Sequence, residues 1–420
     1  MNIPTNLLEN KKILLALSGS IAVYKSLELV REFVKAGADV RVIMSESAKK
    51  FVTPLTFETL TSNRVLDDTN ESWVSDHNHI KISEWADVLV IAPATANTIA
   101  KLSNAIADNI LLQATLAFSG IKIIAPSANT NMLENPITQE NLKRLTNTNY
   151  TIVNTQVKEL ACKTVGNGAM ADYMSIFHAT ARELLKDSFW LGRRVTVTGG
   201  GTREKIDDVR YLSNFSSGKM AASMATALYL KGAEVSLIST KPQSNLPLEI
   251  NTFDVEDTQE MLECLSDSII ISKATLSCSD TVKPIHKKPY LFMAAAVSDY
   301  VPESVESGKL KKDKLGDAWQ LPLKKNIDIL NSIDKEGISV IGFKAEMDAL
   351  NATKNATNML NTKRLDAVCL NVLKDSSSFG TDSNAVDFIT ASQTTSIPRA
   401  DKLTIAFEIL KNAKKLQEQT

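Results

Sequence analysis

The sequence predicts an α/β protein built from two doubly wound, Rossmann-like domains, and three observations carry that expectation. Two short apolar β-rich runs, Lys12-Ile-Leu-Leu-Ala-Leu-Ser-Gly-Ser-Ile21 and Arg194-Val-Thr-Val-Thr-Gly-Gly-Gly-Thr-Arg203, open the two halves of the chain. Each ends in a Gly/Ser or Gly/Thr turn, the place where a parallel sheet presents backbone N–H groups to phosphate. Strands alternate with helical patterns through both halves. The length of 420 residues also exceeds what one core holds, since single cores stop growing near about 250–300 residues.

Taken in order, Ile13–Leu17, Val40–Ser45, Val88–Ala92 and Ile121–Ala125 are largely apolar β runs and read as buried parallel strands. Helical patterns lie between them over Ile21–Lys35, with a stop at Gly37, and over Thr98–Ser119. Gly166-Asn-Gly168 breaks the rhythm of Ala161–Met174, which reads as a loop or flap, and a helix follows over Ser175–Leu185. Lys186-Asp-Ser-Phe-Trp-Leu-Gly-Arg193 is the expected junction, giving domains 1–189 and 190–420. In the second half Val195–Thr198 is a strand, Ser217–Gly232 a helix with a glycine stop, Val235–Ser239 a strand and Thr258–Cys264 a helix. Lys273–Lys288 is long for an α/β connection and reads as an exposed insertion. Tyr290–Ala295, Ser339–Phe343 and Ala367–Leu370 complete a second sheet, and the lysine-rich, glycine-flanked Gly308–Asp317 reads as a mobile loop.

Composition excludes several classes. Forty-seven basic against 48 acidic residues are no match for a nucleic-acid-coating protein. The longest apolar runs, Val88–Pro93 and Leu291–Val297, are far short of a membrane span. Met1-Asn-Ile-Pro-Thr lacks a signal peptide's layout. Cys162, Cys264, Cys278 and Cys369 have no CxxC spacing, which argues against zinc and against a disulfide framework. The chain reads as cytoplasmic.

Several segments carry candidate chemistry. Gly19-Ser20, Ser45 and Ala92-Pro-Ala-Thr-Ala-Asn-Thr98 (with Thr95 and Asn97) end three strands at one sheet edge. Any one of them fits plain turn chemistry; together they favour a phosphate-bearing ligand. His79 precedes a helical stretch and fits either a polar surface residue or a catalyst. Cys162 lies in the glycine-rich flap, where access favours thiol chemistry over the usual buried role. Asn129 fits either an Asx turn or a carboxylate grip through its amide donors. Ser216-Ser-Gly218 at a helix start, with Arg210, Asn214 and Lys219 nearby, suits an anion. Lys309-Leu-Lys-Lys312 fits a solvated charge run, or a loop that neutralises charge in nucleotidyl transfer. Asp299 ends a strand where a base or Mg²⁺ would sit. Neither the P-loop pattern nor the kinase set occurs in the sequence.

Over nearly its whole length the chain resembles the family that fuses phosphopantothenoylcysteine decarboxylase to phosphopantothenate–cysteine ligase in coenzyme A biosynthesis. Gly19-Ser-Ile-Ala-Val-Tyr-Lys25, His79-Ile-Lys-Ile-Ser-Glu-Trp-Ala-Asp87 and Pro93-Ala-Thr-Ala-Asn-Thr-Ile-Ala-Lys101 look like flavin-dependent cysteine decarboxylase motifs. Gly200-Gly-Thr-Arg-Glu204 and the long, specific Val209-Arg-Tyr-Leu-Ser-Asn-Phe-Ser-Ser-Gly-Lys-Met220 look like ligase motifs. The resemblance implies a flavodoxin-like decarboxylase domain followed by a CTP-dependent ligase domain. It implies that His79 is the catalytic histidine of the flavin step, that Cys162 acts in reducing the enethiol intermediate, and that Asn129 grips the substrate carboxylate. Gly19, Ser20, Ser45, Thr95 and Asn97 would bind FMN. Asn214 would act on the acyl-cytidylate step, Lys309 and Lys312 would be the functional loop lysines, and Asp299, Lys309, Ile327, Asp328, Phe343 and Lys363 would contact CTP. Mg²⁺ would accompany CTP, with no metal ligands assigned. The implied substrates are 4′-phosphopantothenate, cysteine and CTP, and the implied assembly is a homo-oligomer, trimers and dimers combined into a dodecamer.

The chain departs from that family's pattern in places. Pro126-Ser-Ala-Asn129 replaces Pro-Ala-Met-Asn, and the flap carries Lys163 and Ala169 where glycine and arginine are common. Lys205 and Ile327 stand at usual prolines, Lys344 at a small residue, and Met359 at a CTP-contacting lysine, for which Lys354 is a candidate substitute. Two other readings compete. A flavin-binding regulatory subunit is disfavoured by the presence of both His79 and Cys162. A dinucleotide oxidoreductase requires G-x-G-x-x-G with an acidic residue about 20 positions on, which neither glycine turn supplies.

Overall fold

A computed structural model of the chain describes residues 3–159, 165–243, 245–274, 287–311, 318–373 and 380–418. The chain divides into two compact units, Ile3–Leu185 and Lys186–Thr420.

In the first unit the elements run β1 (Lys12–Leu17), α1 (Val23–Lys35), β2 (Asp39–Met44), α2 (Pro54–Thr61), α3 (His79–Trp85), β3 (Val88–Ala94), α4 (Ala96–Ser103) and α5 (Ile110–Ala117). There follow β4 (Lys122–Pro126), α6 (Thr130–Leu133), α7 (Pro136–Thr146), β5 (Tyr150–Ile152), β6 (Gln156–Glu159), β7 (Val165–Ala169) and α8 (Tyr173–Leu185). Among the described residues the main sheet has the order β2-β1-β3-β4-β5, all parallel, with Ile13 beside both Val40 and Val88. Helices cover both faces, so Ile13–Leu17 and Leu89–Ala92 are fully buried, which is why these strands read as unbroken apolar runs. Helix α1 buries Val23, Ser26, Leu29, Val30 and Phe33 on one stripe. Its Phe33 stacks on Phe177 of α8 with ring centroids 5.5 Å apart.

Two expectations for this unit differ from the structure. The single helix expected over 98–119 is a pair, α4 and α5. Ala105 adopts a left-handed backbone (φ 55°), which a helix cannot propagate through. Asn109 then caps a new helix, accepting from the Leu112 N–H at 3.0 Å. The expected loop over 161–174 contains β7, paired antiparallel with β6. Its glycines are poor strand formers and hide the hairpin in the sequence.

The second unit runs β8 (Arg194–Gly199), β9 (Arg203–Lys205), β10 (Tyr211–Ser213), α9 (Lys219–Leu230), β11 (Glu234–Ser239), β12 (Asn251–Asp254), α10 (Thr258–Lys273), β13 (Tyr290–Met293), β14 (Tyr300–Pro302) and β15 (Leu323–Lys325). It closes with α11 (Ile329–Ser332), β16 (Ser339–Glu346), α12 (Ala352–Thr362), β17 (Ala367–Val372), β18 (Ser383–Ile389), β19 (Thr394–Asp401) and α13 (Lys402–Glu418). Among the described residues the large sheet has the order β12-β11-β8-β13-β16-β17-β18-β19. It is parallel as far as β17, and β18 and β19 add an antiparallel edge. β9/β10 and β14/β15 are short antiparallel ribbons. Helix α10 runs well past Cys264 because Met261, Leu265 and Ile269, spaced by four, keep one face buried. Of the insertion expected over 273–288, residues 275–286 lie outside the described residues.

The junction stretch 186–193 packs into the second unit. Trp190 is buried edge-on against Phe189 and Tyr290, with centroids 4.9 and 5.1 Å away. The Arg193 guanidinium lies 3.9 Å over the Phe189 ring and donates to the Phe189 and Lys288 carbonyls. In the first unit, Phe177→Ala removes a fully buried ring and one half of the Phe33 stack. We expect that variant to lose about 3–5 kcal/mol of unfolding free energy, read as a lower denaturant midpoint.

Candidate active sites

The strand order of the first unit places its topological switch point between β1 and β3, where doubly wound sheets bind ligands outside the carboxyl ends of their strands. One side chain joins these two ends. Ser18, fully inside, donates its hydroxyl to the Pro93 carbonyl at 2.8 Å and accepts from the Thr95 N–H at 3.0 Å. Ser45, at the end of β2, donates to the Leu17 carbonyl at 3.2 Å, and Thr95 caps α4 by accepting from the Thr98 N–H. Ser20 shares a 3.0 Å hydrogen bond with Ser127 at the end of β4. Gly19 belongs here for a steric reason: a Cβ at this position would stand 2.3 Å from the Ser47 Cβ. The structure therefore gathers Gly19, Ser20, Ser45 and Thr95 at one edge, with Asn97 exposed on the first turn of α4. This narrow cradle of small hydroxyls and backbone N–H groups fits a phosphate-bearing cofactor.

His79 is the first residue of α3, whose N-cap, Asn78, accepts from the Ile80 and Lys81 N–H groups. Its Nδ1 lies 2.6 Å from Glu71 Oε1, and the indole of Trp73 stands perpendicular to the imidazole at 5.5 Å. A carboxylate on Nδ1 holds the proton there and leaves the lone pair on Nε2. His77 makes a different contact, with Asn70. Burial, helped by the Arg64 cation, pushes its imidazole below the usual range.

Asn129 ends the β4 loop and caps α6 by accepting from the Asn131 N–H at 3.0 Å. The β6/β7 hairpin closes on this loop, with the Ala128 N–H donating to the Gly168 carbonyl at 3.1 Å. A Cβ on Gly168 would fall 2.2 Å from the Ala128 oxygen, so the glycine permits that approach. Cys162, Lys163 and the rest of 160–164 lie outside the described residues.

In the second unit the switch point falls between β8 and β13. Gly200, at φ 82°, turns the chain off β8 and accepts from the Ala296 N–H at 2.8 Å. Asn214, Asp299, Ile327, Asp328, Phe343 and Lys363 all line one cavity of 840 Å³ above this edge. Asn214 is anchored by donating to the Val297 carbonyl at 3.1 Å. Asp328 caps α11 and pairs with Lys363 at 3.2 Å. Lys309 is exposed and is not among the residues lining this cavity, and Lys312 lies outside the described residues.

Several residues that matter here were not singled out from sequence. Buried Glu204 accepts from the Thr258 hydroxyl at 2.6 Å, and Asn326 donates to Thr258 Oγ1 and to the Ser298 carbonyl at 2.8 and 2.7 Å. This chain of bonds holds residues 326–328 against the cavity. Lys402 also lines it, 8% exposed and donating to the Thr381 carbonyl. Burial, and then the neighbouring Lys219 cation, pushes its ammonium down to about 8. Of the departures, Met359 and Lys344 both line the cavity, whereas Lys354 does not. Met359 Cε lies 2.9 Å from where a Gly342 Cβ would be, so the thioether fills the space above that glycine. Lys344 pairs with Glu346 at 3.1 Å. Among the described residues no cluster of three metal-ligating side chains occurs, and no helix is long and apolar enough to cross a membrane.

Comparison with known proteins adds a second line of observation. A family model described as Flavoprotein matches residues 1–185, and one described as DNA/pantothenate metabolism flavoprotein C-terminal domain matches residues 190–416. The chain is 36% identical over 423 residues to the coenzyme A biosynthesis bifunctional protein CoaBC of Bacillus subtilis (strain 168), covering 99% of each chain. It is 33% identical over 415 residues to the protein of that name from Vibrio parahaemolyticus serotype O3:K6 (strain RIMD 2210633), covering 97% of this chain and 99% of that one. Against that of Borreliella burgdorferi (strain ATCC 35210 / DSM 4680 / CIP 102532 / B31) the identity is 33% over 409 residues, covering 96% and 99%.

Two predictions arise from this geometry. Gly168→Ala forces the hairpin off the Asn129 loop, at a cost of about 1–3 kcal/mol. Steady-state assays should show slowed chemistry in the first unit and an unchanged rate in the second. For Lys402 the folded-state pKa of about 8 lies below the ordinary 10.5, so the unfolded chain binds more protons between those values. Stability therefore gains from this group as pH rises from 8 to 10.5 and loses that gain as pH falls through 8. In denaturant titrations across that window, Lys402→Met should show a smaller rise than the parent protein.

Proposed function

The chain belongs to the family of coenzyme A biosynthesis bifunctional proteins, and on that premise we propose which residues serve each of its two reactions. It is a flavoprotein with a decarboxylase half and a ligase half. The observation that carries the ligase assignment is the convergence of Asn214, Asp299, Ile327, Asp328, Phe343 and Lys363 on one cavity at a switch point.

In the proposed ligase reaction the carboxylate of 4′-phosphopantothenate attacks the α-phosphorus of CTP. The phosphoanhydride bond breaks, pyrophosphate leaves, and an acyl-cytidylate forms. The amine of cysteine then attacks the acyl carbon and displaces CMP. Asn214, whose amide nitrogen is held by the Val297 carbonyl, orients the acyl-cytidylate. Phe343 and Ile327 give the nucleotide apolar surface, and Lys363, fixed by Asp328, offers a cation. Lys309 and Lys312 neutralise charge building on the departing pyrophosphate, and Mg²⁺ accompanies the triphosphate.

In the proposed decarboxylase half, the loops of Gly19, Ser20, Ser45, Thr95 and Asn97 hold FMN by its phosphate. Bound flavin supplies two-electron oxidation of the substrate thiol and the later return of a hydride. His79, its Nδ1 tied to Glu71, handles a proton at Nε2. Asn129 holds the substrate carboxylate that leaves as CO₂, and Cys162 supplies a proton when the enethiol is reduced. We place the protein in the cytoplasm as a homo-oligomer, with trimers through the first half and dimers through the second.

Purified protein given 4′-phosphopantothenate, cysteine, CTP and Mg²⁺ should yield 4′-phosphopantetheine and CMP by mass spectrometry. His79→Asn should instead accumulate 4′-phosphopantothenoylcysteine while CMP release continues, and Asn214→Asp should stop CMP release. Unimpaired 4′-phosphopantetheine formation by His79→Asn would overturn the histidine's assignment, and no CMP from the parent protein would overturn the ligase reading.

A further inference from the structure

Lys309 is a flexible side chain on an exposed loop, and Gly308 beside it takes a left-handed backbone (φ 74°) with nothing within 4 Å of its Cβ position. A lysine is a point charge on a four-carbon stem, and stabilising charge in a transition state requires that the point be placed beforehand. Packing does not hold it, but hydrogen bonds fix the main chain on both sides of it. The Gly308 N–H donates to Asp208 Oδ2 at 2.6 Å, and the Leu310 N–H donates to Asp207 Oδ2 at 3.0 Å. Arg210 donates through Nη2 to the Leu310 carbonyl at 3.1 Å, and the Glu306 N–H donates to the Ile206 carbonyl at 3.1 Å.

The base of this clamp is itself well held. Asp207 is 1% exposed. Its Oδ1 accepts from the Val209 and Arg210 N–H groups at 2.9 and 2.7 Å, and its Oδ2 also accepts from Arg210 Nε at 3.0 Å. The hydrogen-bonded Arg210 side chain, followed by the backbone N–H donors, holds the Asp207 carboxyl well below the usual carboxylate range. The ring of Trp319 lies 5.1 Å from the Arg210 guanidinium, so the Leu310 carbonyl and Trp319 meet the same cation.

We propose that Asp207 and Asp208 are positioning residues for ligation, fixing the backbone on both sides of Lys309 so that its ammonium is presented to the nucleotide. This rests on the reading of Lys309 as a ligase cation. It also gives a purpose to Asp208, since Asp207 already holds the turn before β10 by accepting from the Val209 and Arg210 N–H groups.

The test is a double-mutant cycle on the full-length protein with Asp208→Ala, Asp208→Asn, Lys309→Ala and Asp208→Ala/Lys309→Ala, following CMP release from CTP. Asp208 is exposed, and an unchanged thermal midpoint checks that each variant is folded. Asp208→Ala should lower kcat about tenfold with little change in KM for CTP, the effect of losing one hydrogen bond to a charged acceptor. Asp208→Asn, which keeps an acceptor oxygen, should recover most of that rate. Decarboxylation of supplied 4′-phosphopantothenoylcysteine should stay at the parent rate. The double variant should be no slower than Lys309→Ala alone, because Asp208 then has nothing left to position. Additive losses, or no loss in Asp208→Ala, would overturn the clamp and leave Lys309's role standing. A Lys309→Ala variant at the parent rate would overturn both.

Discussion

In both units a hydroxyl near the end of the first strand ties the main chain of one loop to another across the switch point. In the first unit Ser18 bonds to the Pro93 carbonyl and the Thr95 N–H. In the second, Thr198 and Thr202 accept from the Ala295 and Ser298 N–H groups at 3.3 and 3.1 Å. A parallel ladder stops where its strands diverge, and the backbone groups beyond that point need other partners. Serine and threonine satisfy some of them internally. The loops are thus held at a fixed separation, and the crevice each sheet opens has walls that do not collapse.

Small residues follow from that constraint. With the loops this close, a methyl group at Gly19 would overlap the Ser47 side chain. The same economy appears where the β6/β7 hairpin meets the Asn129 loop through Ala128 and Gly168. Charge is handled differently. Three cations at or beside the second unit's cavity have carboxylate partners, Lys363 with Asp328, Lys344 with Glu346 and Lys219 with Asp382. Lys402, seated deeper, is held by a carbonyl instead. A buried cation is tolerated where hydrogen bonds compensate the water it has lost, and burial, then the nearby Lys219 cation, hold Lys402 below the usual lysine range.

Much of the fold was legible because parallel strands covered on both faces must be apolar throughout. Ile13–Leu17 and Val88–Ala92 could be read one after another, and Val195–Thr198 by its β-branched residues. The misreadings share a cause: local signals that tertiary contacts overrule or that carry no hydropathy. Nothing apolar marks Ala105 as left-handed, so 98–119 looked continuous. Val165–Ala169 pairs with β6 in spite of its glycines, because the Asn129 loop needs their lack of side chains. Within the expected junction 186–193, Trp190 sits in an aromatic cluster with Tyr290 and Phe292, a partnership spanning too much sequence for any local pattern to reveal. Ser18 was overlooked beside the conspicuous Gly19-Ser20, and Glu71 because no motif joins it to His79.

By itself the sequence determined the two α/β halves, their order, and the family motifs around His79 and Asn214, since apolar periodicity and turn residues act over a few neighbours. The tertiary structure alone decided which residues meet: Met359 over Gly342, Glu204 tied to Asn326 through Thr258, and the main chain of Gly308 and Leu310, on either side of Lys309, held by Asp208 and Asp207 about a hundred positions earlier. These are contacts between strand ends and loops brought together by the winding of the sheet. Their geometry depends on register and loop path, which no local pattern of residues encodes.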